Sequence, residues 1–254
     1  MGKYLDKAVL PENYENYVFD LYGTLVDIHT DEKESAVWEK LALFFGYYKA
    51  HYEPEELYER YLAIVKEQEG KLKQTLEGKR QDAHESSPEI EITDVFTQLY
   101  QEKGVSPEEH LAVYTGQMFR VLATEYIRLY PGTEEMLSHL KTLGKNIYLL
   151  SNAQRIFTAF EMNDLGISQY FDDILISSDY KTRKPDEQFF GILLQRHGLD
   201  VAQTLFVGND SQCDIAGARR VGMDTFYVRS NISPENDKAE EANYIMNEFL
   251  EWEI

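Results

Sequence analysis

From about Asp31 to Ile127 the apolar residues recur three or four positions apart, the spacing that gathers them on one side of an α-helix. Trp38, Leu41 and Phe45 make one stripe, and Leu57, Tyr61, Ile64 and Val65 make a second. Leu111, Tyr114, Met118, Val121 and Leu122 make a third. Ser106-Pro107-Glu108-Glu109 predicts a helix start. There the serine oxygen can cap free N–H groups, the proline lacks the N–H that would be orphaned, and Glu109 can reach back. The polar, breaker-rich stretch Gly78 to Pro88 predicts a loop between helices. Stripes of this kind read as the core of a small helical bundle rather than as a cofactor-binding surface.

On either side of this insert the pattern changes to short apolar runs alternating with helical stretches. The runs Tyr17–Asp20, Ile147–Ser151, Ile174–Ser177, Leu205–Gly208 and Thr225–Val228 predict strands. Helices are predicted near Thr133–Leu143, Ile156–Leu165, Gln188–His197 and Ile215–Val221. Strands alternating with helices predict the α/β class, with a doubly wound, Rossmann-like parallel sheet as core and a helical insert. In such sheets ligands sit beyond the carboxyl ends of the strands.

Composition narrows the choice of function. The 254 residues are enough for one large domain or two unequal ones, and a 43% hydrophobic share with 18 Tyr and 13 Phe can fill a core. Lys plus Arg number 25 against 45 Asp plus Glu, a formal charge of −20. Residues 30–127 hold 11 basic and 20 acidic side chains and the remainder 14 and 25, so neither part is a concealed basic module. A nucleic-acid partner is therefore not expected, since a polyanion requires cationic side chains to displace its counterions. The lone Cys213 excludes an intramolecular disulfide framework. No apolar run nears the ~18 residues of a spanning helix, and neither a lipidation motif nor a leader opens the chain, so no membrane partner is expected. A cytoplasmic location is the expectation, with oligomeric state open.

The strand ends carry the candidate chemistry. The first delivers Asp20, then Leu21-Tyr22-Gly23-Thr24-Leu25-Val26-Asp27; the second delivers Ser151-Asn152. A loop after the third carries Lys184-Pro185, and the fourth ends in Gly208-Asn209-Asp210 with Asp214 four residues on. A carboxylate can attack an electrophile and form a covalent intermediate. Carboxylates can also hold a divalent cation against an anionic substrate, while Ser and Lys bind its remaining oxygens. The six histidines show no zinc-ligand spacing, and Cys213, with no basic neighbour in sequence, reads as a small filler.

Asp20-x-x-Gly23-Thr24-Leu25-Val26-Asp27, Ser151-Asn152, Lys184-Pro185 and Gly208-Asn209-Asp210-x-x-x-Asp214 resemble, in order, the four motifs of the haloacid dehalogenase-like hydrolase superfamily. The resemblance covers about residues 15–30 and 129–230. It implies that residues 1–29 and 129–254 form the α/β core and residues 30–128 a helical cap. It further implies that Asp20 is the nucleophile, with Thr24 shaping its loop. Ser151, Asn152 and Tyr22 would face the substrate, a small anion. Lys184 would neutralise charge beside Asp20. Mg²⁺ would be held by Asp20, Asp210, Asp214 and the Tyr22 carbonyl.

One position departs from the family's phosphatases, which carry a second Asp two residues after the nucleophile to protonate the leaving oxygen and activate water. Here Tyr22 stands there, and a phenol with a pKa near ~10 is a poor base at neutral pH. Asp-x-Tyr-Gly-Thr resembles the family's haloacid dehalogenases, whose leaving halide needs no proton. Asp210 and Asp214 point the other way, because metal-free dehalogenases do not need that acidic pair. The cap arginine that dehalogenases use is also missing early in the insert, where only Arg60 occurs between Asp27 and Gly70. A Mg²⁺-dependent phosphatase is the leading expectation. A 2-haloacid dehalogenase and a catalytically weakened binding protein on the same scaffold are the alternatives.

Overall fold

The computed structural model describes residues 2–77 and 87–254. In chain order it contains β1 (Lys3–Tyr4), β2 (Asn16–Phe19), β3 (Val26–Thr30), α1 (Ser35–Tyr47), α2 (Pro54–Glu77), α3 (Ile92–Glu102), α4 (Glu109–Ala123) and β4 (Thr124–Leu129). There follow α5 (Thr133–Thr142), β5 (Asn146–Ser151), α6 (Arg155–Asp164), β6 (Asp173–Ile176), α7 (Ser177–Tyr180) and α8 (Glu187–His197). The chain closes with β7 (Thr204–Gly208), α9 (Gly217–Arg220), β8 (Asp224–Val228) and β9 (Tyr244–Met246). Seven strands form one parallel sheet in the order β1-β9-β8-β7-β2-β5-β6.

The sheet is apolar because both of its faces are covered. Tyr17, Val18 and Phe19 are all fully buried, but they divide between two clusters because successive side chains leave a strand on opposite sides. Tyr17, Phe19, Ile147, Leu149, Leu205 and Val207 meet Met136, Leu137 and Leu140 of α5 on one face. Val18, Tyr148, Leu150 and Phe206 meet Phe189, Phe190 and Leu193 of α8 on the other. This is the doubly wound α/β architecture. The five predicted strands all form, with limits that differ by a residue or so.

The region between β3 and β4 is helical and has its own apolar cluster, in which Trp38 packs 5.1 Å from Tyr61 and 5.5 Å from Phe119. The first two stripes are buried as expected, apart from Val65, which is only partly so. The third is not. On α4 the buried face is Ala112, Thr115, Phe119 and Ala123, whereas Tyr114 and Val121 are 56% and 70% exposed. Small residues let α4 approach its neighbours closely: a side chain added at Gly116 would meet Ile156 and Phe96. The helix start also shifts. Glu108 is extended (φ −66°, ψ 152°) and is the cap residue, so the first turn opens later than Pro107.

Several other elements were not expected. α3 lies just after the predicted Gly78–Pro88 loop, of which residues 78–86 are outside the described residues. Pro88 pairs with Thr182 in an antiparallel bridge rather than looping free. β3 and β4 form a two-stranded antiparallel ribbon, and β1 and β9 extend the edge of the main sheet. No helix among the described residues is long and apolar enough to cross a membrane.

Candidate active site

β2 ends at Phe19, and Asp20 is held in register by its backbone N–H, which donates to Val207 O at 2.9 Å. The chain then turns tightly, with Gly23 N–H donating to Val26 O at 2.8 Å. Gly23 has φ +89°, and a Cβ there would lie 2.2 Å from Asn209 Nδ2, so position 23 tolerates only hydrogen. Thr24 is fully buried, with Oγ1 3.4 Å from Asn209 Oδ1. Its carbonyl accepts the Trp252 indole N–H at 3.0 Å. The C-terminal segment thus pins the loop that carries Asp20.

Lys184 is only 2% exposed, and its Nζ lies 2.7 Å from both Asp20 Oδ1 and Asp214 Oδ1. Burial alone would lower this lysine, but the Asp20 and Asp214 charges overcome it and hold the ammonium above its ordinary range. Burial pushes the Asp214 carboxyl up, and the Lys184 charge opposes it. Asp214 Oδ2 also accepts the backbone N–H groups of Asn209 and Asp210, each at 3.0 Å. Asp210 Oδ1 accepts from Gln212 N and Cys213 N at 2.8 Å, capping the turn that leads to α9. Gly208 fits this crowding, since a Cβ there would come within 2.4 Å of Asp214 Oδ2.

Ser151 Oγ donates to Asp20 Oδ1 at 3.4 Å. Asn152 instead holds backbone: its Oδ1 accepts Lys184 N–H at 2.8 Å and its Nδ2 donates to Lys184 O at 3.0 Å. The side chains of Asp20, Ser151, Lys184, Asp210 and Asp214 therefore converge from three strand ends and one loop. They bound a cavity of about 220 Å³, completed by Tyr22, Cys213, Ile232 and Pro234 among others. Burial, followed by Asp210 and Asp214, pushes the Cys213 thiol up to about 12, so it is an inert lining group.

Tyr22 also lines the cavity, but its hydroxyl is engaged elsewhere. It donates to the Glu161 carboxylate and lies 3.1 Å from Thr158 Oγ1, both on α6. Arg120 of α4 completes this knot, donating through Nε to Glu161 at 2.7 Å with its guanidinium 5.4 Å from the Tyr22 ring. Burial, reinforced by Glu161, raises the Tyr22 phenol above its ordinary range, so it is neutral at physiological pH. Nothing in the sequence pointed to Arg120, Glu161, Trp252 or Ile232, because each acts through a partner distant along the chain. Asn209 lay inside a motif but had no assigned task.

Among the described residues no group of three or more His, Cys, Asp or Glu side chains is arranged to hold a metal ion, and Lys184 stands between Asp20 and Asp214. Three carboxyl groups nevertheless face a single ammonium in this cavity. The Asp20 and Asp210 carboxylates and the Tyr22 carbonyl are hard oxygen donors, the type that Mg²⁺ takes together with water. The donor chemistry of Asp20, Asp210 and the Tyr22 carbonyl fits a hard divalent cation.

The sequence model of the haloacid dehalogenase-like hydrolase family matches residues 14–222. A glyceraldehyde 3-phosphate phosphatase of Methanocaldococcus jannaschii is 30% identical over a stretch covering 49% of this chain and 55% of that protein. The chain thus spans about half the length of this curated relative. A crystal structure of 2-haloacid dehalogenase from Pseudomonas syringae superposes with a TM-score of 0.59 at 19% identity, covering 92% of this chain and 94% of the other. The magnesium-bound HAD-hydrolase YfnB of Bacillus subtilis superposes with a TM-score of 0.51 at 21% identity, covering 92% and 95% of the two chains. At such identities these two structures speak for the fold.

Proposed function

The chain belongs to the haloacid dehalogenase-like hydrolases, and from that premise we propose that it hydrolyses a small phosphomonoester, with Asp20 as nucleophile and Mg²⁺ as cofactor. The observation that carries this reading is the buried Asp20–Lys184–Asp214 chain, with both contacts at 2.7 Å beside Asp210. A phosphoryl group brings negative charge to a carboxylate nucleophile. A buried ammonium, together with acids able to recruit a cation, offsets that repulsion. The similarity to the archaeal phosphatase points the same way.

In this reading Lys184 and Ser151 orient Asp20 through Oδ1, leaving Oδ2 to attack phosphorus. The ester P–O bond breaks, and its electron pair goes to the leaving oxygen, which takes a proton from solvent. Water then attacks the aspartyl phosphate at phosphorus, its proton passes to solvent, and the Asp20 carboxylate and inorganic phosphate separate. Mg²⁺, held by Asp20, Asp210 and the Tyr22 carbonyl, would neutralise the phosphoryl oxygens. Asn152 sets the height of Lys184 by gripping its backbone. The helical region would serve as a cap that closes over the crevice, and it is tied to the sheet side through Arg120–Glu161 and through Gln154, whose amide bonds Ile90 and Ile92.

A second reading, dehalogenation of a 2-haloacid, is favoured by one feature: Tyr22 stands where a general acid would, and its hydroxyl faces Glu161. Phosphate and chloride assays separate the two. The expected result is Mg²⁺-dependent phosphate release from small esters that vanishes in Asp20→Asn. Chloride release from 2-haloacids without added metal, and no phosphate release, would replace this reading with the second.

A further inference from the structure

The loop that carries Asp20 is held both from within and from outside. Within, it closes on the Leu21 carbonyl, which accepts Leu25 N–H at 2.8 Å and Val26 N–H at 2.9 Å. Two carbonyls on its far side are taken by groups from elsewhere in the chain. Leu25 O accepts Tyr130 N–H at 3.0 Å and the Thr133 hydroxyl at 3.2 Å, both close to the return from the helical region. Thr24 O accepts the Trp252 indole N–H at 3.0 Å, a contact between residues far apart in sequence.

Trp252 is itself firmly seated. It is buried, with its ring 5.0 Å from Phe249 and 6.0 Å from Phe226. Its backbone N–H donates to Pro131 O at 2.8 Å, and its carbonyl lies where a Cβ on Gly132 would come within 2.0 Å. An indole seated this way presents its N–H at a fixed point. Thr24 is fully buried, so its carbonyl has no easy substitute in water, and a buried acceptor without a donor carries a desolvation penalty. A loop that shifts to relieve that penalty takes Asp20 with it. Displacing a reacting group by about 1 Å can cost about a hundredfold in rate.

Resting on the reading of Asp20 as nucleophile, we propose that Trp252 is a positioning residue for the reaction. Its indole N–H fixes the 20–26 loop, and through it the Asp20 carboxylate and the Tyr22 carbonyl. The role belongs to the hydrogen bond and not to the bulk of the ring. Phe249 supplies the contrast, since it packs beside Trp252 in the same apolar cluster and has no polar side-chain atom to bond the loop.

Two variants separate the bond from the packing. Trp252→Phe keeps an aromatic ring and removes the N–H, whereas Phe249→Leu loosens the same cluster and leaves the N–H in place. The first readout is hydrogen exchange of the 20–26 amides relative to those of β5. That ratio should rise about tenfold in Trp252→Phe, because the loop opens without the sheet, and should stay at the wild-type value in Phe249→Leu. The second is phosphate release from phosphoglycolate, glycerol phosphate and a hexose phosphate, per folded molecule. Trp252→Phe should lower kcat by about tenfold or more with a much smaller change in KM, and Phe249→Leu should keep the wild-type kcat. A wild-type exchange ratio or kcat in Trp252→Phe, or equal changes in both variants, would overturn the proposal and leave the phosphatase reading standing. Wild-type protein that releases no phosphate from any small ester would sink that reading instead. The exchange ratio needs no substrate, so it would still support or reject the hold of Trp252 on the loop.

Discussion

The helical region and the sheet region place their charges in opposite ways. On α2, Arg60 reaches Glu102 at 2.6 Å and Glu67 at 3.0 Å from a partly exposed position, and Lys103 meets Glu56 at 2.7 Å nearby. Beneath them lies a cluster of aromatic and aliphatic side chains, with the Phe45 and Tyr100 rings stacked 4.3 Å apart. In the sheet region the apolar layers lie under both faces, and the buried ions stand at one end of the strands. Exposed pairs contribute little to stability, and isolated buried ones frequently subtract from it. The helical region leaves these ions at its surface. The sheet region instead buries Lys184 between two carboxylates, at a cost to folding.

This contrast can be broken by mutation, and the largest effect is expected at the buried lysine. Lys184→Met leaves Asp20 and Asp214 without their shared cation. It should lower unfolding free energy by about 3–5 kcal/mol in denaturant titrations and bring phosphate release to background. A variant as stable as wild type would mean that the carboxylates are neutralised by something other than Lys184.

The next test compares two changes in the helical region. Leu41→Ala, in its fully buried cluster, should cost about 2–5 kcal/mol. Arg60→Gln, on its surface, should cost below about 1 kcal/mol, and less still in high salt. A larger loss from Arg60→Gln than from Leu41→Ala would erase the distinction between the regions.

The smallest effect concerns Glu89, a buried carboxyl where the two regions meet. It accepts from Ser177 Oγ and Gln154 Nε2 at 3.0 Å, with Arg183 4.0 Å away. Burial raises its pKa from the ordinary 4.5, opposed in part by Arg183. At a pH below 4.5 both the folded and unfolded chains hold the proton, and the group adds no pH dependence. As pH climbs from there to the raised folded value, the unfolded chain releases its proton first, so stability falls. Glu89→Gln should flatten that decline, seen as a smaller drop in thermal midpoint across the same window. An unchanged slope would show that Glu89 ionises normally.

Much of the sheet region was legible because its signals are local. A fully buried strand such as Tyr17–Phe19 is apolar at each position, and its end is marked by Asp20 and Gly23. The elements that were missed lack such marks. β3 reads Val-Asp-Ile-His-Thr inside a motif, and β1 and β9 are edge strands of two and three residues. On α4 the eye follows Tyr114, Met118 and Val121, yet close helix packing selects the small residues Ala112, Thr115 and Gly116. The task of Tyr22 was hidden for a different reason. Its partners Thr158, Glu161 and Arg120 lie on two helices remote in sequence, and only the folded chain brings them to one point.

The β3–β4 ribbon carries a topological consequence. Thr30 and Thr124 are Cα partners, so the chain leaves the sheet region and returns to it at a single place, side by side. Everything between them hangs as a closed loop on a two-strand stem, and the seven-stranded sheet is threaded the same way whatever that loop contains. Lengthening, shortening or exchanging the insert therefore requires no rerouting of the chain through Asp20, Lys184 or Asp214. In such a molecule the candidate site and the insert are free to diverge at different rates.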